Sequence, residues 1–213
     1  LKPDGRAWNA VAPHFAFVDE FEALRSRVRG PGNLDRFDYW LNTFKYLRAL
    51  QMTRCAMGAR KPDEVSRNWT EAYTCLLATV NSPGAFAMVV NMENHPGWGP
   101  AVAAHTKQPF QKEYRGTPRL IVPCARSVVA SGEALTLRII ALSASPCQSV
   151  SVRVRPLGGG HWQSIKASHI ARAVYEAKLP VARNDFEYHI VADKDLIWPA
   201  TAPRMNQTVV VSQ

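Results

Sequence analysis

Long hydrophobic runs are missing from this sequence. No stretch of its 213 residues approaches the roughly 18 consecutive apolar positions that span a bilayer, and the visible N-terminus shows no basic patch followed by an apolar run. A chain that is soluble as given, with no membrane span, is expected. Cysteine is scarce: Cys55, Cys75, Cys124 and Cys147 are the four. None sits in a Cys-x-x-Cys pair or beside spaced histidines, and His14, His105, His161, His169 and His189 are scattered without the i, i+4 spacing of a helical metal site. No metal ligand set is expected, and these histidines read as surface or turn residues. Polar, repetitive segments are lacking too: 46% of residues are hydrophobic and 20% charged, the balance of an ordinary chain with a real core.

Catalytic signatures are equally sparse. There is no Gly-x-Ser-x-Gly elbow, no Rossmann glycine pattern and no nucleophilic cysteine context. Gly158-Gly159-Gly160 offers the positive-φ freedom of a hairpin turn rather than a phosphate loop, since no helix opening with Lys-Ser or Lys-Thr follows. No cofactor is expected. The formal charge is +9, which raises the question of a polyanion partner. Arginine is dispersed from Arg6 to Arg204, however, and no basic window is interleaved with aromatics, so nucleic acid is not an expected partner.

What is present falls into two parts. A first amphipathic stretch, Phe15 to Val28, carries Phe17, Phe21 and Leu24 at helical spacing before Gly30-Pro31-Gly32. A second helix is signalled by Phe37, Trp40, Leu41, Phe44 and Leu47, with Asn33 or Asp35 as cap, Gly58 as stop, and Trp40 on the buried face. A third opens at Pro62, has Asp63 and Glu64 at the positive end of its dipole, and carries Val65, Trp69, Ala72, Leu76 and Val80 as an apolar row. The second and third helices are expected to pair antiparallel. The short apolar run Ala85 to Val90 then reads as a buried strand, and Trp98 to Thr117 as the connection between domains.

After that the period changes to two. Leu120 to Cys124, Ala134 to Leu142, Val150 to Arg155, Trp162 to Lys166, Val174 to Leu179, Phe186 to Ala192 and Gln207 to Val211 are seven candidate strands, separated by Gly, Pro, Asn or Ser clusters. That count suits an immunoglobulin-like or fibronectin-type β-sandwich. The expected class is α+β in two domains: a mainly helical segment over 1–112, the tail of a larger domain, and an antiparallel sandwich over 113–213.

An even cysteine count is compatible with two disulfides in a secreted protein. Geometry argues against a simple hairpin bridge. Cys55 lies near the loop joining the second and third helices and Cys75 several turns from it, offset by more than the roughly 7 Å a disulfide allows. Cys124 and Cys147 flank a predicted hairpin asymmetrically, so the same objection applies to them more weakly. Two sequons, Asn68-Trp69-Thr70 and Asn206-Gln207-Thr208, are candidate glycan acceptors and with the cysteine count favour an extracellular setting. The chain opens at Leu1 rather than Met, so part of the function is expected upstream.

Candidate site residues gather after the apolar run. In Asn91-Met92-Glu93-Asn94-His95, Glu93 can act as general acid or base with His95 assisting, if the side chains converge where a buried strand ends. A strand-ending turn whose Asn and Glu satisfy backbone donors is the plainer alternative. Trp98, between two glycines, can stack on a sugar ring or plug a contact, Tyr39 can reach a groove, and Asn91 can bind a sugar hydroxyl.

Three blocks carry a resemblance: Arg36 to Arg48 (RFDYWLNTFKYLR), Thr79-Val80-Asn81-Ser82-Pro83-Gly84 running to Asn91-Met92-Glu93-Asn94-His95, and the ending Pro199 to Val211 (PATAPRMNQTVVV). Together they resemble the C-terminal region of large secreted glycoside-hydrolase-like proteins, over residues from about 34 to the end. In that family pattern the Pro-Gly is followed by Glu and a second Gly, where this chain has Ala85 and Ala87. The resemblance implies a non-catalytic or incomplete module of a secreted carbohydrate-active protein, with polysaccharide and upstream domains as partners. A fragment of an active glycoside hydrolase, with Glu93 and His95 near its active site, is the second expectation. A structural extracellular glycoprotein that self-assembles through sandwich edges is the third.

Overall fold

A computed structural model describes residues 1–193 and 195–212, apart from the side chain of Pro83. The chain forms two compact units, one of residues 1–80 and 84–116, the other of residues 81–83 and 117–213. The class is α+β, a helical N-terminal part and a sheet-rich C-terminal part.

The helical unit begins with α1 (Trp8–Val11), a 3₁₀ turn at Ala12–Phe15, α2 (Ala16–Ala23) and a second 3₁₀ turn at Leu24–Arg27. Its frame is a hairpin of α3 (Pro31–Gly58) and α4 (Pro62–Ala78). Proline starts both long helices, where its missing N–H costs nothing and its φ already suits the helix. Pro31, with Gly30 before it at φ 84°, sets the start of α3 ahead of the expected caps at Asn33 or Asp35. Asp63 and Glu64 occupy the first turn of α4, where the helix dipole favours negative charge. Val65, Trp69, Ala72 and Leu76 form its buried row as the spacing predicts, and full burial of one such large side chain contributes about 1.5–3 kcal/mol.

Helix α3 corrects one expectation. Trp40 is 53% exposed, and Leu47 is also exposed. Phe37 and Phe44 instead pack on α2, with Phe21 stacked on Phe37 at 4.3 Å and edge-on to Phe44 at 5.2 Å. The hidden positions Tyr46, Ala49, Thr53 and Ala56 follow the 3-4-3 spacing of a helical face. They are mostly small, so they leave little trace in a hydrophobic pattern.

The run Ala85 to Val90 is also corrected: it belongs to α5 (Pro83–Asn94), followed by α6 (Gly99–Thr106). Val89 and Met92 are buried while Phe86, Met88 and Val90 are exposed, a one-sided helical burial in place of a strand hidden on both faces. Periodicity cannot separate a short apolar strand from a helix segment, and the alanines and methionine here favour the helix. The segment expected as a domain connection therefore contains a helix.

In the second unit β1 (Arg119–Ile121), β3 (Ala134–Leu142), β7 (Val174–Val181) and β6 (Ser168–Ala171) form one antiparallel sheet in that order. The other sheet runs β2 (Val128–Ala130), β10 (Gln207–Ser212), β8 (Phe186–Ala192), β4 (Val150–Pro156) and β5 (Gln163–Lys166), with β9 (Leu196–Trp198) also paired to β8. The β2–β10 pair is parallel and the rest of this sheet antiparallel. Leu137 and Ile139 from the first sheet meet Val152, Tyr188 and Ile190 from the second in a single core. Period-two alternation puts them there, since i and i+2 share a face. Gly158 and Gly160 have positive φ in the β4–β5 turn. All four cysteines are free thiols.

Candidate functional site

A cleft of about 920 Å³ opens in the helical unit. Lys45, Arg48, Ala49 and Met52 on α3 and Arg67, Thr70, Glu71 and Thr74 on α4 line it. Both sets follow i, i+3, i+4, i+7, so each is one face of its helix. Trp8 and Phe15, with ring centroids 5.8 Å apart, and Asp19 of α2 line it from the first segment; Thr106, Gln108, Gln111 and Arg115 line it from α6 and the chain beyond.

Most charges here are committed. Arg48 Nη1 donates to Asp19 Oδ1 at 2.6 Å, and Lys45 Nζ to Glu22 Oε1 at 2.6 Å. Glu71 Oε1 accepts from Cys75 Sγ at 3.5 Å. Burial, with the neighbouring Glu71 charge, pushes the Cys75 thiol far up, which keeps it protonated and unreactive.

Two polar side chains in the cleft lining are buried and make no side-chain hydrogen bond among the described residues. Thr74 and Asn68 are each 8% exposed. Thr74 Oγ1 has no hydrogen-bond partner. Thr43, Thr53 and Thr70 instead donate to the carbonyl four residues back, at 2.9, 2.8 and 2.9 Å, the usual solution for threonine inside a helix. Asn68 likewise makes no side-chain hydrogen bond among the described residues. A buried polar group left unpaired costs about 1–3 kcal/mol, a cost that falls on the Thr74 hydroxyl, while the Asn68 amide is open to the cleft and can take a partner there.

The residues singled out by sequence lie elsewhere. None of Tyr39, Asn91, Glu93, His95 and Trp98 lines the cleft. Asn91 and Glu93 belong to the last turn of α5, so no strand mouth gathers them. Glu93 accepts a hydrogen bond from the Tyr73 hydroxyl and faces Lys112 Nζ at 3.9 Å, an arrangement that ties α5 to α4. His95 is exposed and its Nδ1 accepts the Gly97 N–H at 3.1 Å. Tyr39 packs edge-on against Trp40 at 5.4 Å, and Trp98 is half-buried just before α6. The sequon at Asn68 places its amide inside the cleft rather than on a surface loop. Asn206 Nδ2 donates to Glu187 Oε2 at 2.8 Å.

The cleft residues escaped the sequence reading because they are small or polar positions between two helices expected to pair. Their shared i, i+3, i+4, i+7 spacing was the available signal. No protein-family model and no curated protein matches the sequence. What the cleft accepts must therefore be judged from its own side chains. It offers hydroxyls, amides, guanidinium groups, the Lys45 amine and the carboxyls of Asp19, Asp63 and Glu71 beside two aromatic rings, and among the described residues neither cysteine nor histidine lines it. Such a set binds polar ligands by hydrogen bonds and ring contact.

One histidine departs from its expected surface position. His189 on β8 is 6% exposed, with Trp162 edge-on at 4.5 Å. Its neighbour Glu187 accepts from Arg155 Nε at 2.7 Å, and the Arg155 guanidinium lies 4.3 Å from the Trp162 ring centroid. Burial pushes Glu187 up, but hydrogen bonds from Asn206 and Arg155 outweigh it and hold the carboxyl below its ordinary value. Burial lowers the His189 pKa; Asn206 opposes that shift, while Arg153 and Arg155 add to it.

Proposed function

We propose that this chain is a non-catalytic or incomplete module of a secreted carbohydrate-active protein, and that the helical cleft binds a hydroxyl-rich saccharide. The observation that carries the proposal is the pair Thr74 and Asn68, buried, without partners and lining an open cleft beside the rings of Trp8 and Phe15. Saccharides present hydroxyls that donate and accept together with apolar C–H faces, which matches amides and hydroxyls set next to aromatic rings.

The strand order supports an immunoglobulin-like or fibronectin-type identity for the second unit. The sequence β1-β3-β7-β6 against β10-β8-β4 corresponds to strands A-B-E-D against G-F-C of that architecture. Of the carboxyls lining the cleft, Asp19 is paired with Arg48 and Glu71 accepts from Cys75, which favours binding over hydrolysis, and Glu93, tied to Tyr73 and Lys112, fits a structural strut better than a catalytic acid.

The test is titration of the full chain against defined cello-, xylo- and galacturono-oligosaccharides, with Thr74→Val alongside. Valine keeps the shape and removes a hydroxyl that has no partner in the free protein. Thermal stability is expected to hold or rise while affinity for the bound oligosaccharide falls about fivefold, the worth of one neutral hydrogen bond. Binding unchanged by Thr74→Val, or no binding to any of the oligosaccharides, counts against the proposal.

A further inference from the structure

We infer that the saccharide bound in this cleft is acidic, carrying carboxylate or sulfate groups that Arg67 and Arg115 receive. The inference rests on the cleft being a saccharide site and names the class of saccharide.

It comes from how the charges lining the cleft are used. Each acid has a place in the unit: Asp19 pairs with Arg48, Asp63 sits in the first turn of α4, and Glu71 accepts from Cys75. Two cations have less. Arg67 is exposed on α4 and has no carboxylate within 4.0 Å among the described residues, although Asp63 and Glu71 lie one turn to either side. Among the described residues Arg115 is near only Glu113, at 3.6 Å, with both side chains more than half exposed, an ion pair that solvent screening leaves weak.

Two guanidinium groups thus line the same cleft as the unpartnered Thr74 hydroxyl and the open Asn68 amide. Guanidinium presents a planar fork of donors that matches the oxygens of a carboxylate or a sulfate, and such charge-assisted bonds are about twice as strong as neutral ones. The neutral hydroxyls of a sugar cannot use that fork as fully. With a net charge of +9 the whole chain also draws acidic ligands toward its surface, so a specific site must be told from general attraction.

Matched ligands make the distinction. The full chain is titrated with galacturonic-acid oligomers and the same oligomers methyl-esterified, which removes the charge and keeps the skeleton. A sulfated galactan oligomer and its desulfated form make up a second pair that separates carboxylate from sulfate as the source. At least one acidic form is expected to bind about tenfold more tightly than its neutral counterpart. Arg67→Gln and Arg115→Gln should each lower that affinity about threefold, the two together removing the tenfold advantage, and leave the neutral form unaffected, whereas Thr74→Val should weaken both forms alike. Both arginines are exposed, so glutamine leaves the core untouched.

Equal binding of the acidic and neutral members of both pairs overturns the inference while leaving a saccharide site in place. So does binding of neutral cello- or xylo-oligosaccharides alone. An equal loss from Arg204→Gln, an exposed arginine on the sheet unit, shows general attraction and also overturns it. No binding of any oligosaccharide overturns both the inference and the site it rests on.

Discussion

At the scale of single residues the fold depends on positions that look ordinary in the sequence. Gly99 opens α6 where a Cβ would lie 2.6 Å from the Met92 carbonyl oxygen and 2.6 Å from the ring of Phe110. The carbonyl belongs to the last turns of α5 and cannot move without the helix, so Gly99→Ala forces the two helices apart. A loss of about 1–3 kcal/mol is expected in urea unfolding, the usual result of overpacking. A stability within experimental error of the parent would show that α5 and α6 are not in this close approach. The sequence shows two glycines around Trp98 but not which one meets a backbone. Thr74 was equally illegible: Thr43, Thr53, Thr70 and Thr74 are alike as letters, and only the three-dimensional course of the helices leaves one of them without a partner.

At the scale of elements, legibility followed the strength of the periodic signal. Helix α4 was readable because large apolar residues repeat along one face and its start carries proline and two acids. All seven candidate strands of the second unit, found in β1, β3, β4, β5, β7, β8 and β10, were readable from the change of period and the turn clusters between them. The strands β2, β6 and β9 were not: they are three or four residues long and at most one residue in each is buried, so no apolar alternation marks them. Helix α5 failed in the other direction, since six consecutive apolar residues fit a buried strand and a helix equally well. Ala87→Pro tests the assignment. Ala87 is exposed within the helix, and proline there removes a helical hydrogen bond and clashes with the preceding turn, at a cost of about 3 kcal/mol or more. The helical ellipticity of the variant should fall together with its stability. Lost stability with helical ellipticity fully retained would return the segment to the strand class.

At the scale of the whole molecule, both units carry carboxyls that act in strong acid, and the sheet unit adds a histidine that acts nearer neutral pH. In the helical unit the carboxyl of Asp4 is held well below the carboxylate range, chiefly by hydrogen bonds from the Arg6 side chain and backbone and then from Gln51. In the sheet unit Glu133 is also lowered, first by Arg126 and then by the Ala130 N–H. A carboxyl whose folded pKa is depressed contributes stability above its ordinary value and loses it as pH falls through the folded one, so these groups act in strong acid. His189 differs. Its folded pKa lies below the ordinary 6.5, so under mildly acid conditions the unfolded chain binds the proton more readily. Stability from neutral His189 is full above about pH 6.5 and is lost as pH falls from there toward the folded pKa. Protonation would add a third positive charge beside Arg153 and Arg155, with Glu187 as the acid beside it, under the half-buried Trp162. Hydrogen exchange, corrected for intrinsic rates and followed from neutral to mildly acid pH, should therefore show β4 and β8 losing protection while α3 and α4 keep theirs. His189→Leu, which keeps the position filled without a titrating group, should flatten the pH dependence of β4 and β8. If protection falls equally in both units, or if the leucine variant keeps the full dependence, His189 is not the group responsible.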